Sequence, residues 1–592
     1  MKNKKKNSSN LKAYRRLFSY CKPYKGRLIV AILCVLAATV AYSLAPLFMG
    51  NATNALADIF TGQNKGVAGE TFLRFLFMMG AAYGANALLS YIGTWLIVSV
   101  TEHTIFDLRK SIDSKLQRLP LNYYDTNAYG DILSRVTNDV DTVSNSLQQS
   151  IYQVLNALFT IVIVIAMMIR ISGLLAIVGL IAVPFALYIA SKIAGKSKKK
   201  FDEQQKKTGE LNGFVEEYYG GHNVVTVFGK EDDVINRFEV TNEELHDASR
   251  DGHFLAGTLT PLMQNMTNLG YALVCFVGAL LAIMGGLSIG MIQSFTQYLR
   301  QFSQPLTQVM QIANTIQSTG SASARIFEFL DEEEEVADAK ESKFPEKLRG
   351  EVQFDHIRFG YLPHRTLIHD LDITIGAGEK TAIVGPTGAG KSTLVNLIMR
   401  FYDVRSGAIR IDGVDIRDME RSRLREIFGM VLQDTWLYSG TIMENIRYGK
   451  LDATDEEVIE AAKKARADAF IRTLPGGYNF ELQEGASNIA QGQRQLITIA
   501  RAMLSDPPIF ILDEATSSVD TRTEVLIQQA MAQMMKGRTS FVIAHRLSTI
   551  KDSDNILYMQ DGDILEVGNH EELMAKDGLY AKLYNSQFAD KN

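Results

Sequence analysis

Cysteine is scarce in this chain, with only three in 592 residues: Cys21, Cys34 and Cys275. They lie far apart and show none of the paired spacing that disulfide frameworks and metal-binding modules require. We therefore expect free thiols, and a reducing cytosol around the soluble part of the chain. A small secreted protein held together by disulfides is excluded.

Acidic residues are absent from the first 27 positions, which carry ten Lys or Arg. The apolar stretch that follows, Leu28–Met49, is longer than the core of a secretory signal and lacks a small-residue cleavage site. We interpret it as a first membrane span with the N-terminus in the cytoplasm, where positive charge is retained. Nucleic-acid binding is the rival interpretation of the basic segment, and we do not favour it.

The basic segment 1–27 also has a helical pattern. Its apolar residues recur at helical spacing among the basic ones and stop at Lys22-Pro23, which predicts an amphipathic helix on the inner membrane surface. The recurring residues are Leu11, Tyr14, Leu17, Phe18 and Cys21.

Six stretches are apolar and long enough to cross a bilayer as helices, which takes roughly 20 residues. They are 28–49, 74–100, 150–170, 173–194, 259–285 and 287–310. The segments between them at 101–149 and 195–258 are long, charged and helix-patterned, which places them together in the cytoplasm. The sequence thus predicts an all-α membrane domain over 28–330 with long cytoplasmic extensions.

Beyond the last span the composition and the hydrophobic pattern of the sequence change. We interpret 331–348, which begins with five consecutive acids, as a solvated linker. From 349 to 592 short β-rich runs alternate with helical segments, which is typical of an α/β domain. An even number of spans returns the chain to its starting side, so this domain is predicted to be cytoplasmic.

A glycine-rich motif opens the α/β domain. It fits the pattern G-x-x-x-x-G-K-[ST] and lies between an apolar run and a helical one. Backbone N–H groups of such a loop bind phosphates, the lysine reaches the β- and γ-phosphates, and the serine hydroxyl binds Mg²⁺. The residues are Gly385, Pro386, Thr387, Gly388, Ala389, Gly390, Lys391, Ser392 and Thr393.

Two carboxylates, Asp513 and Glu514, end the apolar run that starts at Ile509. A run this apolar indicates a buried parallel strand, and ligands bind at the C-terminal ends of such strands. Asp513 is placed to hold Mg²⁺ and Glu514 to polarise an attacking water. The rival interpretation is a pair of acids at a helix N-terminus.

Together with these motifs, the whole chain resembles the ATP-binding cassette exporters. The resemblance implies that Tyr361 stacks on adenine, Gln433 is the Q-loop residue and a Mg²⁺ ligand, Ser517–Asp520 form the D-loop, and His545 is the switch histidine. The signature loop, LSGGQ in the family, is matched by Ile489, Ala490, Gln491, Gly492 and Gln493.

The resemblance also implies assembly. Two ATPase domains would meet head to tail, each ATP lying between one phosphate loop and the partner's signature loop, with Pro120–Val140 and Glu216–Glu231 as the loops that dock the ATPase domains. Ala490 departs from the family because it lacks the serine hydroxyl that donates to the γ-phosphate. We favour a heterodimer in which this chain supplies the working Glu514 and His545, and a homodimer that tolerates alanine is the alternative.

The sixth span carries a stripe of amides that recur every three or four residues, which places them on one face of the helix. A water-filled substrate cavity is the favoured interpretation, and helix-to-helix amide bonding is the rival one. The stripe comprises Gln293, Gln297, Gln301, Gln304, Gln308 and Gln311. The other predicted lining residues are Tyr298 and Arg300 on the same helix and Gln264, Asn265, Asn268 and Tyr271 on the fifth.

We thus expect one half of an ATP-hydrolysing exporter of amphipathic, multidrug-like small molecules in a bacterial plasma membrane, using ATP and Mg²⁺. A lipid or peptide exporter and an ATP-gated regulatory subunit are the alternatives.

Overall fold

The computed structural model describes residues 12–61, 65–362, 364–432, 435–513, 519–543 and 547–588. These residues form two compact units. The first comprises the chain up to Gln117 together with Asn127–Glu332, and the second comprises Arg118–Thr126 together with the chain from Glu333 onward. The short segment 118–126, which belongs by sequence to the predicted membrane domain, is thus grouped with the α/β domain.

The first unit is helical, and a long helix occurs at each of the six predicted spans. In chain order, the helices up to residue 330 are α1 (12–20), α2 (Lys25–Thr61), α3 (Lys65–Leu116), α4 (Leu121–Thr126, in the second unit), α5 (Tyr129–Ser134), α6 (Val140–Ile171), α7 (Gly173–Gly220), α8 (His222–Val227), α9 (Glu231–Gly257), α10 (Leu259–Ile283) and α11 (Ile289–Leu330).

Four of these helical segments in the described part of the chain are long and apolar enough, by length and composition, to cross a membrane. They are Lys22–Thr61, Val67–Leu116, Tyr129–Ile171 and Gln264–Ile283. The spans predicted on α7 and α11 are also helical. α1 is followed by a 3₁₀ turn, Lys22–Tyr24, so the predicted stop near Pro23 coincides with a change of helix type. Leu11 lies outside the described residues.

Helix α2 contains Pro46, which has no N–H to donate to the carbonyl of Tyr42 four residues earlier. Helix α11 supplies donors at this point: Gln301 Nε2 donates to Tyr42 O at 3.4 Å, and Tyr298 Oη donates to the next carbonyl, Ser43 O, at 2.6 Å. A carbonyl left without a donor inside a membrane domain is costly, so these bonds lock α11 onto α2.

The two helices also approach closely through glycines. A Cβ on Gly50 would lie 2.3 Å from Gly290 O, and a Cβ on Gly290 would lie 1.9 Å from Gly50 O. Asn54 Oδ1 accepts a hydrogen bond from Gly290 N at 2.8 Å beside this contact. Small residues allow such close backbone packing where two membrane helices cross.

A π-helical turn, Arg135–Asp139, joins α5 to α6. It turns the carboxylate of Asp139 into a buried position against α11, where Arg325 Nε donates to Asp139 Oδ2 at 2.8 Å and the other guanidinium arm donates to Asp139 Oδ1. π-Turns inside α-helices are rare and often mark functional positions.

The second unit contains three sheets, and its strands are short and apolar. They are β1 (Val352–Phe359), β2 (Ile368–Ile375), β3 (Lys380–Val384), β4 (Ser406–Ile411), β5 (Val414–Asp415), β6 (Phe428–Val431), β7 (Gly440–Thr441), β8 (Glu481–Leu482), β9 (Ile509–Asp513), β10 (Thr539–Ile543), β11 (Asn555–Gln560) and β12 (Asp563–Gly568).

Its helices, besides α4, surround these sheets. They are α12 (Lys391–Ile398), α13 (Arg421–Glu426), α14 (Ile442–Arg447), α15 (Asp455–Lys464), α16 (Asp468–Ile471), α17 (Gln491–Ser505), α18 (Thr521–Met535), α19 (Leu547–Lys551), α20 (His570–Ala575) and α21 (Leu579–Phe588).

The six-stranded sheet has the order β12-β11-β3-β10-β9-β6. Strands β11, β3, β10, β9 and β6 run parallel, and the residues of β10 are all buried, as expected for a sheet covered on both faces. The parallel order brings the C-terminal ends of β3 and β9 to the same edge on either side of β10. A separate antiparallel sheet, β2-β1-β4-β5, shares a hydrophobic core with α12 and with strands of the parallel sheet.

The acidic segment after α11 is less solvated than its charge predicts. Asp338 Oδ1 lies 2.7 Å from Arg421 Nη1, and Glu335 approaches both Arg421 and Arg425 at 3.7 Å. The guanidinium of Arg421 is itself nearly buried, so the acids neutralise a charge that the fold has removed from water. Part of the segment interpreted as a solvated linker therefore packs against the α/β domain.

Candidate nucleotide site

The glycine-rich loop connects β3 to α12, as the motif predicts. Gly385 has φ +152° and its backbone presses against β11: an added Cβ would lie 2.0 Å from Met559 O. Gly390, at the entry to α12, has φ +102°, a conformation that residues with a side chain rarely adopt. The loop therefore needs glycine at both ends, and it presents backbone amides at a helix N-terminus, which is the arrangement that binds phosphate.

Lys391 lies inside this loop. Its Nζ donates to Gly385 O at 2.8 Å and to Pro386 O at 3.0 Å, so the ammonium group is held at the centre of the turn. Burial lowers the pKa of Lys391, while the nearby Asp513 carboxylate acts in the opposite direction. A partly desolvated cation at this position attracts a phosphate more strongly than an exposed one would.

Oxygen ligands for a divalent cation are available at the same sheet edge. Ser392 is in the first turn of α12, and Asp513 is the last residue of β9. A hydroxyl and a carboxylate are the oxygen donors that Mg²⁺ prefers, so these residues fit the ion. Glu514, Gln433 and His545 lie outside the described residues, and so do Ser517 and Ser518 of the predicted D-loop.

Tyr361 lies close to the phosphate loop, as its predicted adenine contact requires. Its hydroxyl donates to Thr393 Oγ1 at 3.2 Å and accepts from Asn396 Nδ2 at 3.4 Å, both on α12. The rings of Phe359 and Tyr402 contact it edge-on, each with centroids 5.0 Å from its own. The ring is 41% exposed, which leaves surface for a base to stack on.

The signature segment begins α17, on a different part of the same unit. Ala490 is exposed just before the helix, and its N–H donates to Gln493 Oε1 at 3.1 Å. Gly492 packs against the start of α18: a Cβ there would lie 2.5 Å from Thr523 Cγ2 and 2.8 Å from Val519 Cγ1. Ile489 is buried, whereas Gln491 is exposed at the helix N-terminus.

Asp520, the last residue of the predicted D-loop, caps α18. Its Oδ1 accepts from the backbone N–H groups of Arg522 at 3.1 Å and Thr523 at 3.0 Å, and these bonds lower the pKa of its carboxyl. The signature loop and the D-loop are thus joined through the contact of Gly492 with the first turn of α18.

The predicted cavity residues divide into two groups. Tyr298 and Gln301 do not line an open passage, because they are buried against α2, where they satisfy the carbonyls near Pro46. Gln293 likewise accepts a hydrogen bond from Thr53 of α2. The rival interpretation, helix-to-helix amide bonding, therefore describes this part of the stripe.

The remaining predicted residues keep accessible surface. Arg300, Gln304, Gln264, Asn265 and Asn268 are exposed, and Gln297 and Gln308 are half-buried. The Arg300 guanidinium stacks over the ring of Tyr271 on α10, 5.4 Å from its centroid. Gln311 falls where side chains are not described.

Sequence reasoning missed one pair of residues next to the nucleotide site. Tyr402, four residues beyond the end of α12, donates a hydrogen bond from its hydroxyl to the carboxylate of Asp125 on α4. The two residues are separated by 277 positions, and no local pattern connects them. The only signal in the sequence was that Asp125 lies in the predicted docking loop Pro120–Val140.

A phosphate-loop ATPase with a signature helix, carried on the same chain as a domain of long membrane helices, defines an ATP-binding cassette transporter. The chain matches the family model of the ABC transporter transmembrane region over residues 28–306 and that of the ABC transporter ATPase over residues 368–517. It belongs to the ABC transporter family.

Similar proteins narrow this assignment to exporters. A fatty acid ABC transporter ATP-binding/permease protein of Mycobacterium tuberculosis is 46% identical over 534 residues, covering 90% of this chain and 84% of that protein. An ATP-dependent lipid A-core flippase of Syntrophus aciditrophicus is 34% identical, covering 98% and 95%. The structure of a bacterial Atm1-family ABC exporter with ATP bound matches with a TM-score of 0.77 and 30% identity, covering 96% of this chain and 99% of that one.

The predicted family, fold class and activity are confirmed. The chain is an integral membrane half-transporter of the ABC exporter type, its ATPase domain binds ATP, and ATP hydrolysis is coupled to transport. Half-transporters of this type act as dimers, so a second half completes the transporter.

Proposed function

We propose that this chain exports amphipathic small molecules by alternating access, with ATP hydrolysed at a Mg²⁺ site formed by its phosphate loop and the strand end at Asp513. The observation that carries this proposal is the geometry of the phosphate loop around Lys391. The same chain also contains a unit of long helices, which fits a transporter. Ser392, Asp513 and Gln433 would hold the ion, and Glu514 would polarise the attacking water. The ATPase domain and the N-terminus would face the cytoplasm of a bacterial cell.

Glu514→Gln tests this mechanism. The amide keeps the shape of the side chain but cannot polarise water as a carboxylate does, so hydrolysis and transport should both fall by about a hundredfold or more. ATP binding should persist, because the phosphate loop is unchanged. Transport in inside-out vesicles and phosphate release are measured side by side. A variant that still transports without hydrolysis would show that the chain is an ATP-gated subunit instead.

We further propose that the second half is a different chain. The support is Ala490, which is exposed at the start of α17 and offers no hydroxyl to a phosphate across a dimer. The partner would carry the intact signature loop and an altered residue after its own Walker B aspartate. Purification of this chain alone decides the matter, since a stable homodimer with full ATPase activity would refute a heterodimer.

Within the amphipathic class, Arg300 favours substrates with an acidic headgroup. It is the only charged residue in the predicted sixth span, 287–310, and the fifth span has none. Its guanidinium is exposed, and among the described residues no carboxylate pairs with it. A charge inside a span is costly and usually marks a substrate pathway. The fatty acid transporter and the lipid flippase among the similar proteins point to the same class of ligand.

Two probes with the same acyl chain, one acidic and one neutral, test whether the transporter prefers acidic lipids or accepts a broad range of amphipathic compounds. Oleate should stimulate the ATPase activity of the dimer at a concentration about tenfold lower than oleyl alcohol does. Arg300→Gln should erase that difference, and Arg300→Lys should keep most of it. Equal stimulation by both probes in the unsubstituted protein would favour the multidrug-like range.

A further inference from the structure

Tyr402 belongs to a cluster of three aromatic rings beside the phosphate loop. Its ring meets that of Tyr361 at a centroid distance of 5.0 Å and an angle of 89°, and that of Phe359 at 5.7 Å and 61°. Phe359 and Tyr361 contact each other in the same way, at 5.0 Å and 83°. Edge-to-face contacts of this kind fix the orientation of each ring relative to the others.

The cluster is tied to the phosphate-loop helix. The hydroxyl of Tyr361 bonds to Thr393 and Asn396 of α12, and Tyr402 follows the end of the same helix. A base stacked on Tyr361 would therefore contact a ring that is held on one side by the ring of Tyr402 and at its hydroxyl by hydrogen bonds to α12.

The other end of Tyr402 reaches the first cytoplasmic loop. Its hydroxyl donates to the carboxylate of Asp125 on α4. Burial and the Asp125 carboxylate raise the pKa of this hydroxyl above its ordinary value, as expected for the donor in a bond to a carboxylate. A hydrogen bond to a charged acceptor is stronger and more directional than a neutral one.

The segment 118–126 is also anchored at its start. Arg118 O accepts from Glu335 N at 2.9 Å, and the Arg118 guanidinium lies 3.4 Å from Glu334. Tyr123, on α4, is itself buried. The Arg118 contacts hold one end of the segment, and Tyr402 holds α4 itself. Helix α3 ends at Leu116 and α4 begins at Leu121, so α4 is covalently attached to a predicted membrane helix by a short connection.

We propose that Tyr402 is a positioning residue that reports adenine binding at Tyr361 to the first cytoplasmic loop through its bond to Asp125. This inference rests on the proposed stacking of adenine on Tyr361. Nucleotide binding would fix the aromatic cluster, and the fixed hydroxyl would hold α4 in one position. By reciprocity, the position of α4 alters the affinity of the site for ATP.

Tyr402→Phe tests the proposal because it keeps the ring and removes only the hydroxyl. The matched control is Tyr478→Phe, whose hydroxyl also donates to an aspartate, Asp468, at 2.7 Å within the same domain. Amide hydrogen exchange of residues 121–126 is followed with and without ATP in the purified dimer, and ATP affinity is measured in parallel.

In the unsubstituted protein and in the Tyr478→Phe control, ATP should slow exchange in α4. In Tyr402→Phe that ATP-dependent slowing should shrink about fivefold or more, and by the same reciprocity the ATP dissociation constant should rise by no more than a similar factor. Asp125→Ala should reproduce this effect, and the double variant should add nothing further. A structural role alone would shift the exchange rates equally with and without ATP.

The inference is overturned if α4 of the unsubstituted dimer does not respond to ATP, or if Tyr402→Phe responds like the control. The variant Tyr361→Ala shows whether a negative result refutes the role of Tyr402 or the stacking of adenine on Tyr361, on which that role depends. If that variant binds ATP as tightly as the unsubstituted protein, the adenine contact itself is refuted and the inference with it. If it binds ATP weakly and Tyr402→Phe responds normally, only the relay is refuted.

Discussion

Single residues in this chain decide which chemistry the fold can perform. The phosphate loop could be predicted from the sequence because its motif requires glycine at fixed positions. The structure gives the physical reason: a side chain at Gly385 would collide with Met559 O, and Gly390 adopts a left-handed conformation. Ala490 is different. Its exposed position at the N-terminus of α17 suits a contact with a second molecule, so its effect is visible only in a dimer.

Ala490→Ser should restore the missing donor. One hydrogen bond to a charged phosphate contributes about 1.5–3 kcal/mol, which corresponds to a tenfold or greater fall in the ATP concentration that half-saturates the weakened site. The measurement is ATP binding by the purified dimer, with Ala575→Ser on the exposed face of α20 as the control. An unchanged binding curve would mean that the Gly492 backbone already satisfies the phosphate, as the homodimer alternative assumes.

At the scale of secondary structure, the sequence predicted where the helices lie better than which faces they bury. The six apolar stretches each became a long helix, because length and hydropathy are properties of one segment. The burial of Tyr298 and Gln301 could not be predicted from α11 alone. It depends on Pro46 of α2, which leaves the carbonyl of Tyr42 without its donor within the helix, and on α11, whose donors lie about 250 residues further along the chain.

The π-turn before α6 offers a test at this scale. Asp139 is 5% exposed and accepts two hydrogen bonds from Arg325, whereas the neighbouring pair of Asp141 and Arg109 is exposed on both sides. Asp139→Ala should lower the free energy of unfolding by about 2–3 kcal/mol, because the half-exposed Arg325 loses its only bidentate partner in the described structure. Asp141→Ala should cost less than about 1 kcal/mol.

Thermal unfolding of the detergent-solubilised protein gives this comparison directly. Equal shifts in the two variants would mean that the turn does not hold α6 and α11 together. The bonds to Asp139 also raise the pKa of Arg325, so the guanidinium keeps its charge in neutral buffer, where the two variants are compared.

At the scale of the whole molecule, the two predicted docking loops differ in the structure. The first, Pro120–Val140, is divided: its residues up to Thr126 belong to the same compact unit as the ATPase domain, and the rest belong to the helical unit. The second, Glu216–Glu231, belongs wholly to the helical unit. The sequence could not predict which loop would be grouped with the ATPase domain, because both loops have a similar composition of charged and aromatic residues. The grouping reflects contacts such as that of Tyr402 with Asp125, which link distant parts of the chain.

The second loop carries an apolar surface that has no covering within the described part of this chain. Val224 is 61%, Val227 80% and Phe228 71% exposed, and the rings of Tyr218 and Phe214 line a groove beside them. Contiguous apolar side chains on a soluble extension usually mark an interaction site. The resemblance to docking loops of ABC exporters makes an ATPase domain of the dimer the expected partner.

Val227→Asp should therefore separate ATP hydrolysis from transport. A carboxylate at a buried contact costs several kcal/mol unless it is paired, so docking through α8 should fail while the phosphate loop keeps its ATP. We expect basal ATPase activity within about twofold of normal and a loss of substrate stimulation and transport of about tenfold or more. Val240→Asp, at a similarly exposed valine on α9, controls for the added charge. If Val227→Asp transports normally, the α8 surface is not a coupling contact, and transmission must run through the first loop and Tyr402 alone.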